Sequence, residues 1–182
     1  MPGRHHVGAH GPAPAVSDGS PLHPELPVHP ELEALSFLLG VWEGEGRGLW
    51  SADPAFVYLE RTEITAPGPY LAYRQQTTTA DGARRLHAEV GYLRPGPDGT
   101  VELVLVQPTG LAEVHTGTVG PGRLELRSLS VVAAPRALPV TAVTRTVEVD
   151  GDRLRYRVRI AMRDEPLADH LEAVLRRVTA GQ

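Results

Sequence analysis

The plainest hydrophobic pattern in the chain is Arg153-Leu154-Arg155-Tyr156-Arg157-Val158-Arg159-Ile160-Ala161-Met162-Arg163, in which arginines alternate with large apolar residues. Strict alternation is the signature of a strand with one wet face and one dry face. The same period runs through Leu39-Gly40-Val41-Trp42-Glu43-Gly44-Glu45-Gly46-Arg47-Gly48. Trp42 shares one face with Gly40, Gly44 and Gly46, and Glu43, Glu45 and Arg47 take the other. A large aromatic with a column of glycines suits a strand that bends sharply inside a closed barrel, with Trp42 plugging the floor. The alternatives are a flexible glycine-rich loop and a phosphate cradle, and the latter needs a following helix where strand-like segments follow instead.

Applied along the chain, the pattern predicts strands at 41–50, 56–65, 70–79, 85–94, 100–107, 111–119, 122–131, 140–149, 153–163 and 170–178. Their connections carry turn residues: Gly68-Pro69, Asp81-Gly82, Pro97-Asp98-Gly99, Gly120-Pro121-Gly122 and Asp150-Gly151-Asp152. Serial hairpins of this kind predict an all-β, ten-stranded, up-and-down antiparallel β-barrel of the lipocalin type, wide enough to enclose a ligand cavity. A two-sheet sandwich with a solid core is the competing arrangement. Before the strands, Pro30 precedes Glu31 and Glu33, as at a helix start. Leu32, Leu35 and Leu39 with Phe37 then form a short apolar stripe, predicting a helix of one or two turns that closes one barrel end. Residues 1–22, rich in Pro, Gly, Ala and His, read as a disordered tail, and 23–182 as one domain.

Composition narrows the chemistry. The 182 residues carry a net charge of −4 with mixed signs, which favours neither nucleic acid nor an anionic membrane as partner. Every one of the 18 basic residues is Arg, so lysine chemistry is excluded. Cysteine is absent, which excludes disulfides, thiol catalysis, zinc-thiolate sites and covalent heme attachment. No apolar run approaches the ~18 residues of a membrane helix, and the chain reads as soluble and cytoplasmic.

Three histidines fall in the strand region: His87, His115 and His170. For each, a hydrogen-bonded structural role competes with a functional one. His87 neighbours the apolar even face Leu86, Ala88, Val90, Tyr92, and His115 is expected to face solvent. His170 would point outward by strict alternation with Leu171, Ala173 and Leu175 inside, unless a bulge turns it inward. No Gly-x-Ser-x-Gly elbow and no multi-histidine ligand spacing is present. A lone histidine in an apolar barrel suits heme, which brings four nitrogens of its own and asks for one neutral imidazole.

From Leu32 to Arg177 the chain resembles the nitrobindin family of small barrels, related in shape to fatty-acid-binding proteins. The resemblance is carried by Phe37–Gly46, by His87-Ala88-Glu89-Val90-Gly91-Tyr92-Leu93-Arg94, by Glu102–Gly110 and by Pro166–Arg177. It implies a ten-stranded barrel holding noncovalent heme b, one per chain, near one mouth. His170 is at the axial, catalytic position, His87 and Gln107 at distal positions, and Leu86 and Ile160 at pocket positions, while Gly40, Trp42, Gly44 and Gly46 are structural. The implied activity is isomerisation of peroxynitrite to nitrate at ferric heme, with the iron as Lewis acid, together with reversible nitric oxide binding. A homodimer is left open. Where relatives often carry a threonine and a lysine near the heme, this chain has Ala52 and Leu138. The alternative is a non-enzymatic carrier or sensor for nitric oxide or a hydrophobic ligand, with weak heme binding or none. The outward arginines of 153–163 count against a carboxylate carrier.

Overall fold

The structure is a computed structural model describing residues 27–49 and 56–178. The expected tail at 1–22 and the Trp50-Ser51-Ala52 stretch lie outside the described residues. A 3₁₀ helix, Pro30–Leu38, leads into ten strands: β1 (Gly40–Gly48), β2 (Phe56–Gly68), β3 (Tyr70–Thr79), β4 (Arg85–Pro95), β5 (Thr100–Val106), β6 (Leu111–Gly120), β7 (Arg123–Ala133), β8 (Val140–Asp150), β9 (Arg153–Met162) and β10 (Ala168–Val178). Each strand pairs antiparallel with its sequence neighbour, and β1 pairs with β10 to close the barrel. The alternation in β9 holds as read: Leu154 and Val158 are buried, while Arg153, Arg155, Arg157 and Arg159 are exposed.

The helix is longer than the one or two turns expected. Leu32, Leu35 and Leu38 are its buried residues, and Leu39 falls after its end. A spacing of three stacks side chains on one face of a helix with three residues per turn, so these leucines drive 3₁₀ winding rather than α. Its nine residues make about three turns. The leucines pack on Leu71, Leu93, Leu103 and Leu126 to close that end of the barrel.

Trp42 is fully buried, and its indole N–H donates to the Leu38 carbonyl at 2.9 Å. Arg177 lies over the indole, 4.1 Å from the ring centroid, and donates to the carbonyls of Phe37 and Leu39. This cation–π contact ties the last strand to the junction of helix and β1. Farther along β1, the Tyr58 ring lies flat against Gly46, where a Cβ would come within 2.1 Å of a ring carbon. At Gly44 the missing Cβ instead makes room for the backbone of Val174 and Leu175 on β10.

From the helix end to the opposite mouth, inward side chains form three layers. The first is the leucine floor. The second is polar, with Glu60, Gln75, Glu89, Glu113 and His115 all buried. The third, at the mouth, is an apolar cluster of Leu111, Val140, Val143 and Val158, joined by partly buried Ile160, Met162 and Leu171. Among the described residues no helix is long and apolar enough to cross a membrane.

Replacing Gly46 with Ala should displace the buried Tyr58 ring and destabilise the barrel by about 1–3 kcal/mol. Chemical denaturation of the two proteins measures it, and an unchanged midpoint would show that the ring does not depend on the missing Cβ.

Candidate functional site

The mouth opposite the helix is built by the starts of β4, β6, β8 and β10 and the ends of β3, β5 and β9. On β10 the pairing with β9 runs Asp169↔Arg159 and then Leu171↔Val158, leaving His170 as the extra residue of a bulge. One inserted residue reverses the facing of everything beyond it. His170 is therefore half-buried beside inward Leu171, and its carbonyl accepts from the Leu49 amide at 2.7 Å. Burial lowers the pKa of its imidazole, helped by the charges of His87 and Arg145 and opposed by Glu89. Those three groups stand on β4 and β8, so His170 senses the lumen.

His87 lies four strands from β10 around the barrel by way of β1, β2 and β3. It is half-buried, with Nε2 3.5 Å from Glu89 Oε1. The inward face of β4 carries Glu89 and Leu93 with His87, whereas Leu86, Val90 and Tyr92 on the even face are exposed. Leu86 is thus not gathered with His87 on the lumen side: the ladder passes from Thr77↔His87 to Thr78↔Arg85, leaving Leu86 as the extra residue of another bulge. Ile160, paired with Ala168, belongs to the apolar mouth cluster. Leu138 is exposed.

Beneath the mouth lies a charged network the sequence reading did not anticipate. Arg145 grips Glu89 with two parallel hydrogen bonds, Nη1 to Oε2 and Nη2 to Oε1, each 2.9 Å. Nη2 also donates to Glu113 Oε2 at 3.1 Å. The Gln107 amide nitrogen bridges the same carboxylates, 3.2 Å from Glu89 and 2.6 Å from Glu113. Its carbonyl accepts from the Thr109 hydroxyl at 2.9 Å, which fixes the orientation of the amide. Gln107 therefore reaches the lumen as a strut of the network. Tyr73 donates to Glu89 at 3.1 Å, and His115 Nε2 lies 2.7 Å from Glu113. His115 is completely buried, not solvent-facing, because β6 turns Leu111, Glu113 and His115 inward together.

Burial alone would raise the pKa of Glu89, but Arg145 and His87 outweigh it and hold the carboxyl below the usual range. Glu113 is likewise lowered, with burial opposed by His115 and Arg145. Arg145 itself loses solvation yet is held protonated by Glu89 and Glu113. Glu60 behaves oppositely: burial raises it, and the hydrogen bonds from Tyr156, Thr62 and Gln75 do not offset this. One guanidinium thus serves two ionised carboxylates, and it cannot act as a receptor for a ligand carboxylate.

The donor set fits a heme. Among the described residues no group of three or more His, Asp or Glu side chains could hold a bare metal ion. A porphyrin needs one neutral imidazole on a dry wall. His170 is an inward imidazole whose pKa is pushed down, beside the apolar mouth cluster. Near this mouth the β7–β8 ladder stops at Arg127↔Thr144. There the Ser128 hydroxyl accepts from the Val143 amide at 2.9 Å in place of a backbone carbonyl.

Comparison with known proteins places the barrel in a heme-binding family. Residues 31–177 match the family model described as THAP4-like, heme-binding beta-barrel domain. The chain is 43% identical over 155 residues to peroxynitrite isomerase 2 of Mycobacterium avium, covering 82% of this chain and 96% of that protein. It is 42% identical over 160 residues to peroxynitrite isomerase of Nocardia farcinica, covering 85% and 95%. The crystal structure of Rv2717c from M. tuberculosis superposes with a TM-score of 0.77 at 40% identity, over 84% of this chain and all of that one.

Arg145→Leu leaves two buried carboxylates without their shared guanidinium and should cost about 3–5 kcal/mol at pH 7. In the native protein the lowered carboxyls stabilise the fold above their unfolded values and lose that contribution as pH falls through the folded ones. In the variant both carboxyls should be raised, so their stabilisation is complete at low pH and lost as pH rises. The stability gap between the two proteins should therefore narrow from pH 7 to about pH 4. Denaturant titrations across that range test it, and a constant gap would contradict the pairing.

Proposed function

Because the chain belongs to the THAP4-like, heme-binding β-barrel family, we propose that it holds one noncovalent b-type heme per chain on His170 and isomerises peroxynitrite to nitrate there. The observation that carries this reading is the β10 bulge, which brings a depressed-pKa imidazole into an apolar mouth. A bound ferric heme supplies the Lewis acid needed to break the O–O bond of peroxynitrite.

The chain's own residues do the rest. His170, neutral at neutral pH, offers an imidazole lone pair without competition from a proton. Leu111, Val140, Val143 and Val158, buried around the mouth, thin the water around the reacting molecule. A dry wall keeps reactive fragments together long enough to recombine as nitrate. His87 faces the lumen with Nε2 3.5 Å from Glu89 Oε1. In this reading its ring supplies a hydrogen bond to a developing oxyanion. Gln107 holds Glu89 and Glu113 in register below.

Nitric oxide would be a second ligand for a heme held by His170 alone. A carrier of long-chain carboxylates is disfavoured by the structure, because Arg145 inside the barrel is already held by Glu89 and Glu113.

Adding hemin to the full chain should produce a Soret band that His170→Ala abolishes. Stopped-flow decay of peroxynitrite should accelerate with loaded protein and fall to the buffer rate in that variant. His87→Leu should keep the band and slow the decay by about tenfold or more, the worth of one hydrogen bond to a charged group. An undiminished Soret band in His170→Ala would overturn the assignment of the ligand.

A further inference from the structure

Below the charged layer, in the half of the barrel closed by the 3₁₀ helix, lies an internal cavity of about 90 Å³. Its floor is formed by Ile64, Leu71, Leu103, Leu124, Leu126 and Leu154, and its roof by Glu60, Gln75, Arg145 and Tyr156. Neither His170 nor His87 lines it, so it is distinct from the mouth site.

Three properties define what it can hold. The first is size: cavities for drug-sized or lipid ligands run to about 300–1,000 Å³, which excludes a fatty-acid chain. An apolar cavity of about 150 Å³ stays dry and takes benzene or xenon, so this one suits something smaller. The second is the wall, in which branched aliphatic side chains surround the space on every side but one. The third is charge. Arg145, the cation among the lining residues, has Nη1 and Nη2 bound to Glu89 and Glu113, and His87 and His115 lie beside the same carboxylates at 3.5 and 2.7 Å. An anion in the cavity would therefore find no uncommitted Nη donor to offset its desolvation. On the roof, Tyr156 and Thr62 donate to the Glu60 carboxyl, while Gln75 Oε1 and Arg145 Nε are buried without a hydrogen-bond partner, which makes the roof weakly polar.

We propose that this cavity is a docking site for one small, neutral, weakly polar molecule, of the class of dissolved diatomic gases, and that it excludes anions. The site requires no heme, and its occupant and the mouth ligand are separated by the Glu89–Arg145–Glu113 layer. The fold thereby sorts molecules by charge: anions stay at the mouth, and neutral gases pass into the closed half.

Crystals of the full chain without heme, pressurised with xenon, test the proposal independently of any activity. The expected result is one xenon peak among Leu71, Leu103 and Leu126, with no ordered water in the cavity. A parallel soak in sodium azide should leave the cavity without density. In solution, the protein-dependent shift of the xenon-129 resonance should be lost in Leu103→Phe, which fills the space. A cavity occupied by ordered water, an absent xenon peak, or azide inside it would each overturn the proposal. Should Leu103→Phe fail to fold, the native xenon and azide maps decide alone.

Discussion

The interaction on which the rest of the molecule depends is the grip of Arg145 on Glu89 and Glu113. It joins β8 to β4 and β6 across the interior and divides one barrel into two halves with different chemistry. A buried ion pair is seldom a large net source of stability, because desolvating the charges offsets their attraction. Its value here is positional. The pair holds Gln107 between the carboxylates and keeps Glu89 within 3.5 Å of His87. Below it, the 3₁₀ helix and the leucine floor form an apolar closed end without a charged ligand to compete for Arg145.

The second determinant is a single inserted residue. In regular pairing His170 would share the outer face with Glu172, and the chain would lack an imidazole at the mouth. The bulge between Asp169 and Leu171 alters that with no further change in the fold. Bulges are tolerated at barrel rims because the ladder there has few partners left to disrupt. The Leu49 amide binds the His170 carbonyl, so the irregular backbone is held on the edge that faces the end of β1. Family membership and the likeness to Rv2717c extend this architecture to relatives named as peroxynitrite isomerases.

Much of the architecture was legible from the order of residues, and the reasons are local. A period of two in β9, glycine-bearing turns and the Trp42 strand each depend on neighbours in sequence. The ten strands could be placed because every connection between them is a hairpin except the closure of β1 on β10. The helix runs longer than its expected one or two turns, and its buried stripe ends on Leu38 rather than Leu39. The charged layer was missed for a different reason. Glu89 and Arg145 lie 56 residues apart, and each looks like an ordinary surface charge within its own strand. On β4 the misreading was compounded, since the apolar residues Leu86, Val90 and Tyr92 face outward and the polar ones face in. His115 was misplaced by the same logic. A usable signal existed in β6, where Leu111 shares its face with Glu113 and His115.

The central claim is that two carboxylates remain ionised in the interior because one guanidinium binds both. Carbon-13 NMR of the glutamate carboxyls in the full chain, followed as pH is lowered, measures this directly. The account predicts that Glu89 and Glu113 hold their ionised shifts below the range where exposed glutamates titrate, while Glu60 takes up its proton above it. Glu89 and Glu113 titrating with or above the exposed glutamates would contradict it.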